Sequence, residues 1–530
     1  MARPTLHDPR LHPFAGQDLV SLLELQARRR GDMPFLIWEP AQEPSRTWSY
    51  AAFADDTSRI AAGLAGRGIG RGDRLIIHLE NCPEFLLLWF ACARIGAIAV
   101  TTNTRSSGEE IGFIAENCGA KAAITQPAFA DLLRNHCPTL SWIAVTDSDA
   151  GQEPAGGRPA PTDRFQLLFA DHGIERTGAP DPWAHHSVMY TSGTTSRPKG
   201  VLWTQGNALW GGRVGTFFED LNATDVSMVF LPLFHCNALV TQVLSAFWAG
   251  AAIVLQRRFS ASRFWSVATR NRATVTSVVP FCIRAIADQP IPEHDFRLFI
   301  YGINNSFDDQ FGVRTLGWWG MTETVIPAIS GSLNADDERG TLGRPSPFMQ
   351  IAITDDNGRP VEPGETGNLG VRGIPGLSLF HSYLGMADYT EECFDEHGFF
   401  QTGDRCRLNE SGTISFSDRS KDMLKIGGEN VAASEIERVI LNVSGVVEVA
   451  VVGRRHAMLD EVPVAFVIPR EPVNPALTDA ISSACRATLA DFKQPHEIRL
   501  VDTLPRATLN KVAKAQLRAQ LNAEDQAATG

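Results

Sequence analysis

The chain has 530 residues, of which 44% are apolar and 20% charged, and a net charge of −12 from 48 basic and 60 acidic side chains. That is an ordinary globular composition, at a length one hydrophobic core does not serve, so at least two and up to four compact units are expected. The acidic balance argues against nucleic acid as the main partner.

Nine cysteines lie scattered, without a C-x-x-C pair and with an odd total. They suggest neither a disulfide framework nor a zinc site, and they fit a reducing, cytoplasmic setting. The first residues, MARPTLHDPRLHPF, carry no apolar signal region. Phe85 to Ala93 is apolar but stops at Arg94, and Leu239 to Leu255 is interrupted by Thr241, Gln242, Ser245 and Gly250. Neither reaches the roughly 20 apolar residues of a membrane span, so no transmembrane segment and a soluble protein are expected.

In chain order, helices are predicted over Trp48 to Gly66, Pro83 to Ile95 and Ser107 to Cys118, and strands over Arg74 to Leu79, Ala97 to Thr101 and Ala122 to Thr125. Such alternation implies a parallel sheet with helices on both faces. Ser148 to Asp163, rich in Gly, Pro and Asp, reads as a surface loop. A second βα series runs from Val226 to about Phe311. From Thr341 to Ser417, short strands with turn signals suggest a small β-rich unit. Beyond Arg419, a helix is expected from the capping box Ser434-x-x-Glu437, strands over Val446 to Val452 and Val462 to Ile468, and helices over Leu477 to Leu489 and Lys511 to Leu521. This makes an α/β module of roughly 110 residues. The expected division is 1–418, a hinge at 419–422, a second domain over 423–524 and a disordered tail over 525–530.

The most informative segment is YTSGTTSRPKGV, Tyr190 to Val201. Hydroxyls, glycines and backbone N–H groups on a turn can close on an anion, and a lysine adds a mobile positive charge, chemistry suited to a polyphosphate. It is not a Walker A loop, since Pro198 and Gly200 stand where glycine and Ser/Thr are needed. Alone, the segment also reads as a Ser/Thr/Gly surface loop.

Four further segments carry polar groups with no evident folding role: LPLFHCN (231–237), WWGMTET (318–324), FQTGD (400–404) with SDRSKDMLKIGGEN (417–430), and LPRATLNKVAK (504–514). Together, in this order, the five resemble the adenylate-forming superfamily of acyl-CoA synthetases, peptide-synthetase adenylation domains and beetle luciferases. RATVTSVVPFCIRA, FGVRTLGWWGMTET and FVIPREPVNPAL look most like bacterial crotonobetaine/carnitine and medium-chain acyl-CoA ligases.

The resemblance implies an α/β fold: a large N-terminal domain of two doubly wound subdomains plus a β-rich one, and a mobile C-terminal domain. It implies an ATP-dependent acid–thiol ligase using Mg²⁺ and CoA. A carboxylate attacks the α-phosphorus of ATP to give acyl-AMP and pyrophosphate, and the CoA thiol then displaces AMP. A stand-alone enzyme loading a carrier protein stays open as an alternative, as do a non-catalytic nucleotide-binding protein and a homodimer.

By the same resemblance, Thr191, Ser192, Gly193, Thr194, Thr195 and Lys199 hold the departing phosphates. Gly320, Met321 and Thr322 border the α-phosphate, and Glu323 with Thr191 faces Mg²⁺. Trp319 replaces the usual adenine-stacking tyrosine, unless it is a core tryptophan. Asp404 and Arg419 contact the ribose. His235 gates the acyl pocket, whose lining is His235, Cys236, Asn237, Phe281, Trp318, Gly320, Val325 and Ile326. Lys511 contacts the carboxylate and α-phosphate in the first step, with Lys514 its surface counterpart. Lys421 is the hinge, and Gly427 and Gly428 line the CoA tunnel. FRLFIYGINNSFDDQF, 296–311, is shorter than the family's stretch, with Gly302, Asn304 and Asn305 expected around the adenine and the acyl pocket in its place. The pocket lacks a Lys or Arg for a second carboxylate, which points to a hydrophobic monocarboxylic acid, while Trp318 could also receive a quaternary ammonium.

Overall fold

A computed structural model describes residues 11–154, 157, 159–176, 178–191, 197–334, 337–419, 423–470, 475–505 and 512–529. Ser192 to Thr195, Lys421 and Lys511 lie outside the described residues.

Two seven-stranded sheets build the N-terminal part. In one, the strands His185–Thr191, Ile98–Thr101, Arg74–His78, Ala122–Thr125 and Trp142–Val145 run parallel, and Lys199–Thr204 turns back antiparallel beside the first of them. The other has a parallel block of Arg314–Leu316, Leu298–Ile300, Val275–Ser277, Val226–Val229, Ala252–Leu255 and Pro34–Trp38, with Arg46–Ser49 as antiparallel edge. The helix Pro83–Ile95 is buried on nearly every side, its Phe85, Leu88, Trp89 and Phe90 packing in the core shared by the two sheets. A helix apolar all round has to be covered on both faces.

The strands Gln350–Thr354, Thr366–Arg372, Phe400–Leu408 and Ile414–Arg419 form a four-stranded antiparallel sheet, the β-rich unit. After it, Glu429–Ala432, Met423–Ile426, Asp460–Pro469 and Val446–His456 make a separate sheet, with Glu497–Leu500 parallel to Asp460–Pro469. Its faces carry their own cores, one built on Ile436, Val451 and Ile481, the other on Val452, Phe466 and Leu517.

Several local expectations are corrected. Trp48 belongs to an edge strand, and the helix begins at Tyr50 behind the cap Ser49. The Ser434–Glu437 capping box does not form. Ala432 occupies the cap of the helix Ala433–Leu441, and Glu437 instead accepts from Val451 N at 2.7 Å and pairs with Lys514 at 2.7 Å. The last helix runs Lys514–Thr529, past the expected end at Leu521. Residues 525–529 are therefore helical, not a disordered tail, and ion pairs Arg454–Asp525 and Arg499–Glu524 tie that end to the sheet.

Candidate active site

One cavity of about 570 Å³ is walled by residues from all the units. The sheet of Lys199–Thr204 supplies Thr191 and Lys199, the loop after Val226–Val229 supplies His235, Cys236 and Asn237, and the β-rich unit supplies Gly403 and Asp404. Gly427, Gly428 and Glu429 close it from the C-terminal sheet.

The short helical turn Thr322–Thr324 is held at three points. Trp203 Nε1 donates to Thr322 O at 3.0 Å, Phe380 N donates to Glu323 O at 2.8 Å, and Ile326 N donates to Thr324 O at 2.6 Å across Val325. Val325 takes φ +65°, ψ −55°, a strained γ-turn for a branched residue. This geometry presents Met321, Thr322 and Glu323 to the cavity.

Beside that turn, Tyr383 OH donates to Glu323 Oε1 at 2.7 Å. Lys199 donates to Tyr389 OH at 2.5 Å and lies over the rings of Tyr389 and Tyr383, 4.2 and 4.9 Å from their centroids. Burial lowers the Lys199 pKa, against the charge of Glu323. Burial, and then the charge and hydrogen bond of Glu323, push the Tyr383 hydroxyl well up, so it remains a donor. Glu323 and Thr191 offer hard oxygen donors, the type Mg²⁺ takes alongside phosphate oxygens.

Toward the opposite wall, the chain leaves Phe234 and enters a π-helical stretch, Asn237–Leu244, of the kind found at functional sites. Asn237 Oδ1 accepts from Ser277 Oγ at 2.9 Å and Thr241 Oγ1 at 3.0 Å. Thr322 Oγ1 reaches Cys236 Sγ at 3.8 Å, and burial pushes the Cys236 thiol up to about 11. His235 Nε2 meets the Glu429 carboxylate at 3.0 and 3.1 Å. Burial opposes the charged imidazole, but the charge and hydrogen bond of Glu429 outweigh it and raise the His235 pKa. Burial likewise opposes the Glu429 carboxylate, and His235 turns the balance to a lowered pKa.

The cavity brings together Thr191, Lys199, His235, Cys236, Asn237, Gly320, Met321, Thr322, Glu323, Asp404, Gly427 and Gly428 of the expected residues. Others stand elsewhere. Trp319 is 7% exposed in the core and does not line the cavity, its Nε1 donating to Asp404 Oδ2 at 3.0 Å. Trp319 thus sits as a core tryptophan beside Asp404 and does not present its face to the cavity. Trp318 packs on Phe218, Phe281 on Phe259, and Val325 and Ile326 are buried, so these four do not line the cavity. Asn304 accepts from Gly317 N at 2.5 Å and Asn305 N donates to Thr315 O, bracing the strand before Trp318 and not an adenine site. Gly302 also lies outside the cavity lining. Arg419 pairs in register with Asp404 on neighbouring strands.

Tyr383, Tyr389 and Glu429 were not singled out from the sequence. Glu429 directly follows the two tunnel glycines, and Tyr383 and Tyr389 are two of only five tyrosines in the chain, so a signal existed for each.

The AMP-binding enzyme family matches residues 23–384, and the AMP-binding enzyme C-terminal domain matches 435–511. The crotonobetaine/carnitine–CoA ligase of Salmonella paratyphi A is 33% identical over 525 residues, covering 95% of this chain and 99% of that protein. The o-succinylbenzoate CoA synthetase of Bacillus subtilis, a double mutant bound with its product analogue OSB-NCoA, superposes with a TM-score of 0.81 at 26% identity, over 95% of this chain and 98% of that one. The same enzyme in complex with AMP gives 0.67 at 26% identity and 98% coverage of that chain. A fatty acyl CoA synthetase of Mycobacterium tuberculosis gives 0.67 at 26% identity, over 96% of this chain and 99% of that one. The chain belongs to the AMP-binding enzyme family.

Proposed function

We propose that this protein, an AMP-forming acid–CoA ligase, activates a small, predominantly hydrophobic monocarboxylic acid. The acid's carboxylate attacks the α-phosphorus of ATP, pyrophosphate leaves, and the thiol of CoA then attacks the acyl carbon and expels AMP. The observation that carries the reading is the single cavity with Lys199, Thr322 and Glu323 on one wall and Gly427, Gly428 and Glu429 on the other. One wall suits polyphosphate, and the glycine wall leaves room for a thin thiol-bearing arm.

The residues divide the work as follows. Thr191 and Lys199 take the departing phosphates, with charge-assisted donors where negative charge collects. An Mg²⁺ ion held by Glu323 and Thr191 would neutralise phosphate charge. Asp404, acceptor-only and fixed by Trp319, suits two ribose hydroxyls. Lys511, on its resemblance, serves the first step. The better superposition on the product-analogue complex than on the AMP complex of one enzyme supports assigning this arrangement of the units to the thioester-forming step.

At the acyl end the cavity wall is Phe234, His235, Cys236, Asn237 and Val279. Among the described residues that wall carries no lysine or arginine, and Lys493 at the border of the cavity is held by two glutamates. Among the described residues a second carboxylate therefore finds no lysine or arginine on that wall, and the imidazole of His235 is already paired with Glu429. A betaine is the second reading, favoured by the 33% identity to a crotonobetaine/carnitine–CoA ligase. The test is product analysis with ATP, Mg²⁺ and CoA against fatty, aromatic, alicyclic and betaine acids. Thioester, AMP and pyrophosphate in equal amounts are expected. Acyl transfer only to a carrier protein would replace the reading with the adenylation-enzyme alternative.

A further inference from the structure

The C-terminal unit touches the N-terminal one through several polar pairs, and one of these contacts joins three charged side chains that are all buried. Arg105–Asp491 is largely exposed, while Arg438–Glu109, Arg284–Asp460 and His235–Glu429 are partly exposed. The ammonium of Lys493, 10% exposed, contacts both Glu110 and Glu435, whose side chains are 9% and 5% exposed. The Lys493–Glu435 distance is 2.8 Å.

The three groups differ in where they belong. Lys493 lies just before the strand Glu497–Leu500, and Glu435 in the first turn of Ala433–Leu441, so both travel with the C-terminal sheet. Glu110 sits in the first turn of the helix Gly108–Cys118 of the N-terminal part, where its Oε2 accepts from Ser107 N at 2.7 Å. The Ser107 hydroxyl in turn donates to Thr488 O of the C-terminal unit. The capping box of one N-terminal helix is therefore also the docking point of the other unit.

We propose that Lys493 is a positioning residue for the thioester-forming step, latching the C-terminal unit in its present orientation by bridging Glu110 and Glu435. The proposal rests on the reading above that assigns this arrangement of the units to the thioester-forming step, and takes adenylation to use another orientation. Burial opposes the charge on Lys493, and the two carboxylates outweigh it and raise its pKa, so the ammonium stays protonated. If the C-terminal unit swings away, Lys493 and Glu435 leave as a pair into water, where such a pair contributes little. Glu110 stays at its helix N-terminus, where a carboxylate is favoured in any case. Without Lys493, by contrast, the present orientation would bury two carboxylates face to face. Loss of the lysine therefore penalises one orientation and leaves the other alone.

The test compares Lys493→Ala, Lys493→Arg and Lys493→Ala/Glu110→Gln with the wild type. For Lys493→Ala, acid-dependent pyrophosphate exchange should stay within about two-fold, while thioester formation from preformed acyl-adenylate falls on the order of 10–100-fold. Lys493→Arg should keep most of the second step. The double variant, with one of the facing charges removed, should regain part of it. A residue that only supports the fold would lower both half-reactions together, and one that only contacts CoA would gain nothing from Glu110→Gln. Small-angle X-ray scattering reads the orientation without any turnover, and Lys493→Ala should show a larger radius of gyration than the wild type. An unchanged scattering profile, equal losses in both steps, or no recovery in the double variant would overturn the latch. Failure of the wild type to form thioester with every acid would overturn the ligase reading instead, leaving the scattering result to decide the latch.

Discussion

His235 and Glu429 meet at 3.0 Å although 194 positions separate them, and they join the loop entering the acyl end of the cavity to the strand that follows the paired glycines. The contact exists only in an arrangement that seats the C-terminal sheet over the cavity. Its strength depends on charge on both partners. Relative to an orientation that separates them, the raised His235 pKa gives stabilisation that is complete below its ordinary value near 6.5 and is lost as pH rises through the raised value. The lowered Glu429 pKa gives stabilisation present above about 4.5 and lost as pH falls through the lowered value. The pair therefore operates between these two limits.

Accordingly, the rate of thioester formation from preformed acyl-adenylate should decline as pH rises through the His235 transition, by several-fold. Glu429→Gln should be slow at every pH and lack that limb. A wild-type-like pH profile in Glu429→Gln would show that the pair does not govern closure.

Glu323→Gln should lower pyrophosphate exchange and recover in part at high Mg²⁺. The amide oxygen can still accept from Tyr383, so the change removes a charge and little else. Unchanged activity with an unchanged Mg²⁺ dependence would place the metal elsewhere.

Trp319→Phe should raise the KM for ATP by about 10-fold with a smaller effect on kcat. An aromatic ring is kept, though a smaller one, while Asp404 loses the donor that fixes one of its oxygens, a loss of about 1–3 kcal/mol at a buried site. If Trp319 instead stacks on adenine, Phe should preserve most of the affinity, so the two roles give opposite results.

Lys511→Ala should slow adenylation on the order of 10²–10³-fold, as for one preorganised transition-state donor, and spare thioester formation from supplied acyl-AMP. Equal loss in both steps would make the residue structural.

The βα alternation was readable because each strand, such as Ala122–Thr125, is a short apolar run between a glycine-ended helix and a turn. The polar constellation was readable because Thr191, Glu323, Asp404 and Gly427 sit in short motifs whose order matched a family. What escaped was everything decided by tertiary neighbours. Ser434 and Glu437 have capping-box spacing, but Val451 N and Lys514 compete for Glu437 and win. Trp319 reads as a stacking ring until Asp404 is seen beside its indole N–H. Phe281 and Trp318 are aromatic in the right motifs, yet they pack against Phe259 and Phe218. The Lys493 bridge joins groups 383 residues apart, and no local pattern encodes it.

The two cavity glycines should differ sharply on substitution. Gly428 has φ +90°, and a Cβ built there would meet no protein atom within 4 Å because it projects into open space. Gly427 has φ +58°, near the left-handed region other residues can enter at about 1–2 kcal/mol, and its Cβ would touch Leu459 at an ordinary 3.4 Å. Gly428→Ala therefore places a methyl group against whatever passes along that wall, at a torsion an L-residue rarely adopts. Adenylation does not require that passage. Gly428→Ala should keep pyrophosphate exchange within about two-fold and slow thioester formation on the order of 10–100-fold, whereas Gly427→Ala should slow it less than 10-fold. Single-turnover mixing of each variant with preformed acyl-AMP and CoA measures the step, and thermal melting checks that each variant is folded. Wild-type thioester formation in a folded Gly428→Ala protein would mean that CoA reaches the acyl group by another route, and that the glycines serve only the turn between their strands.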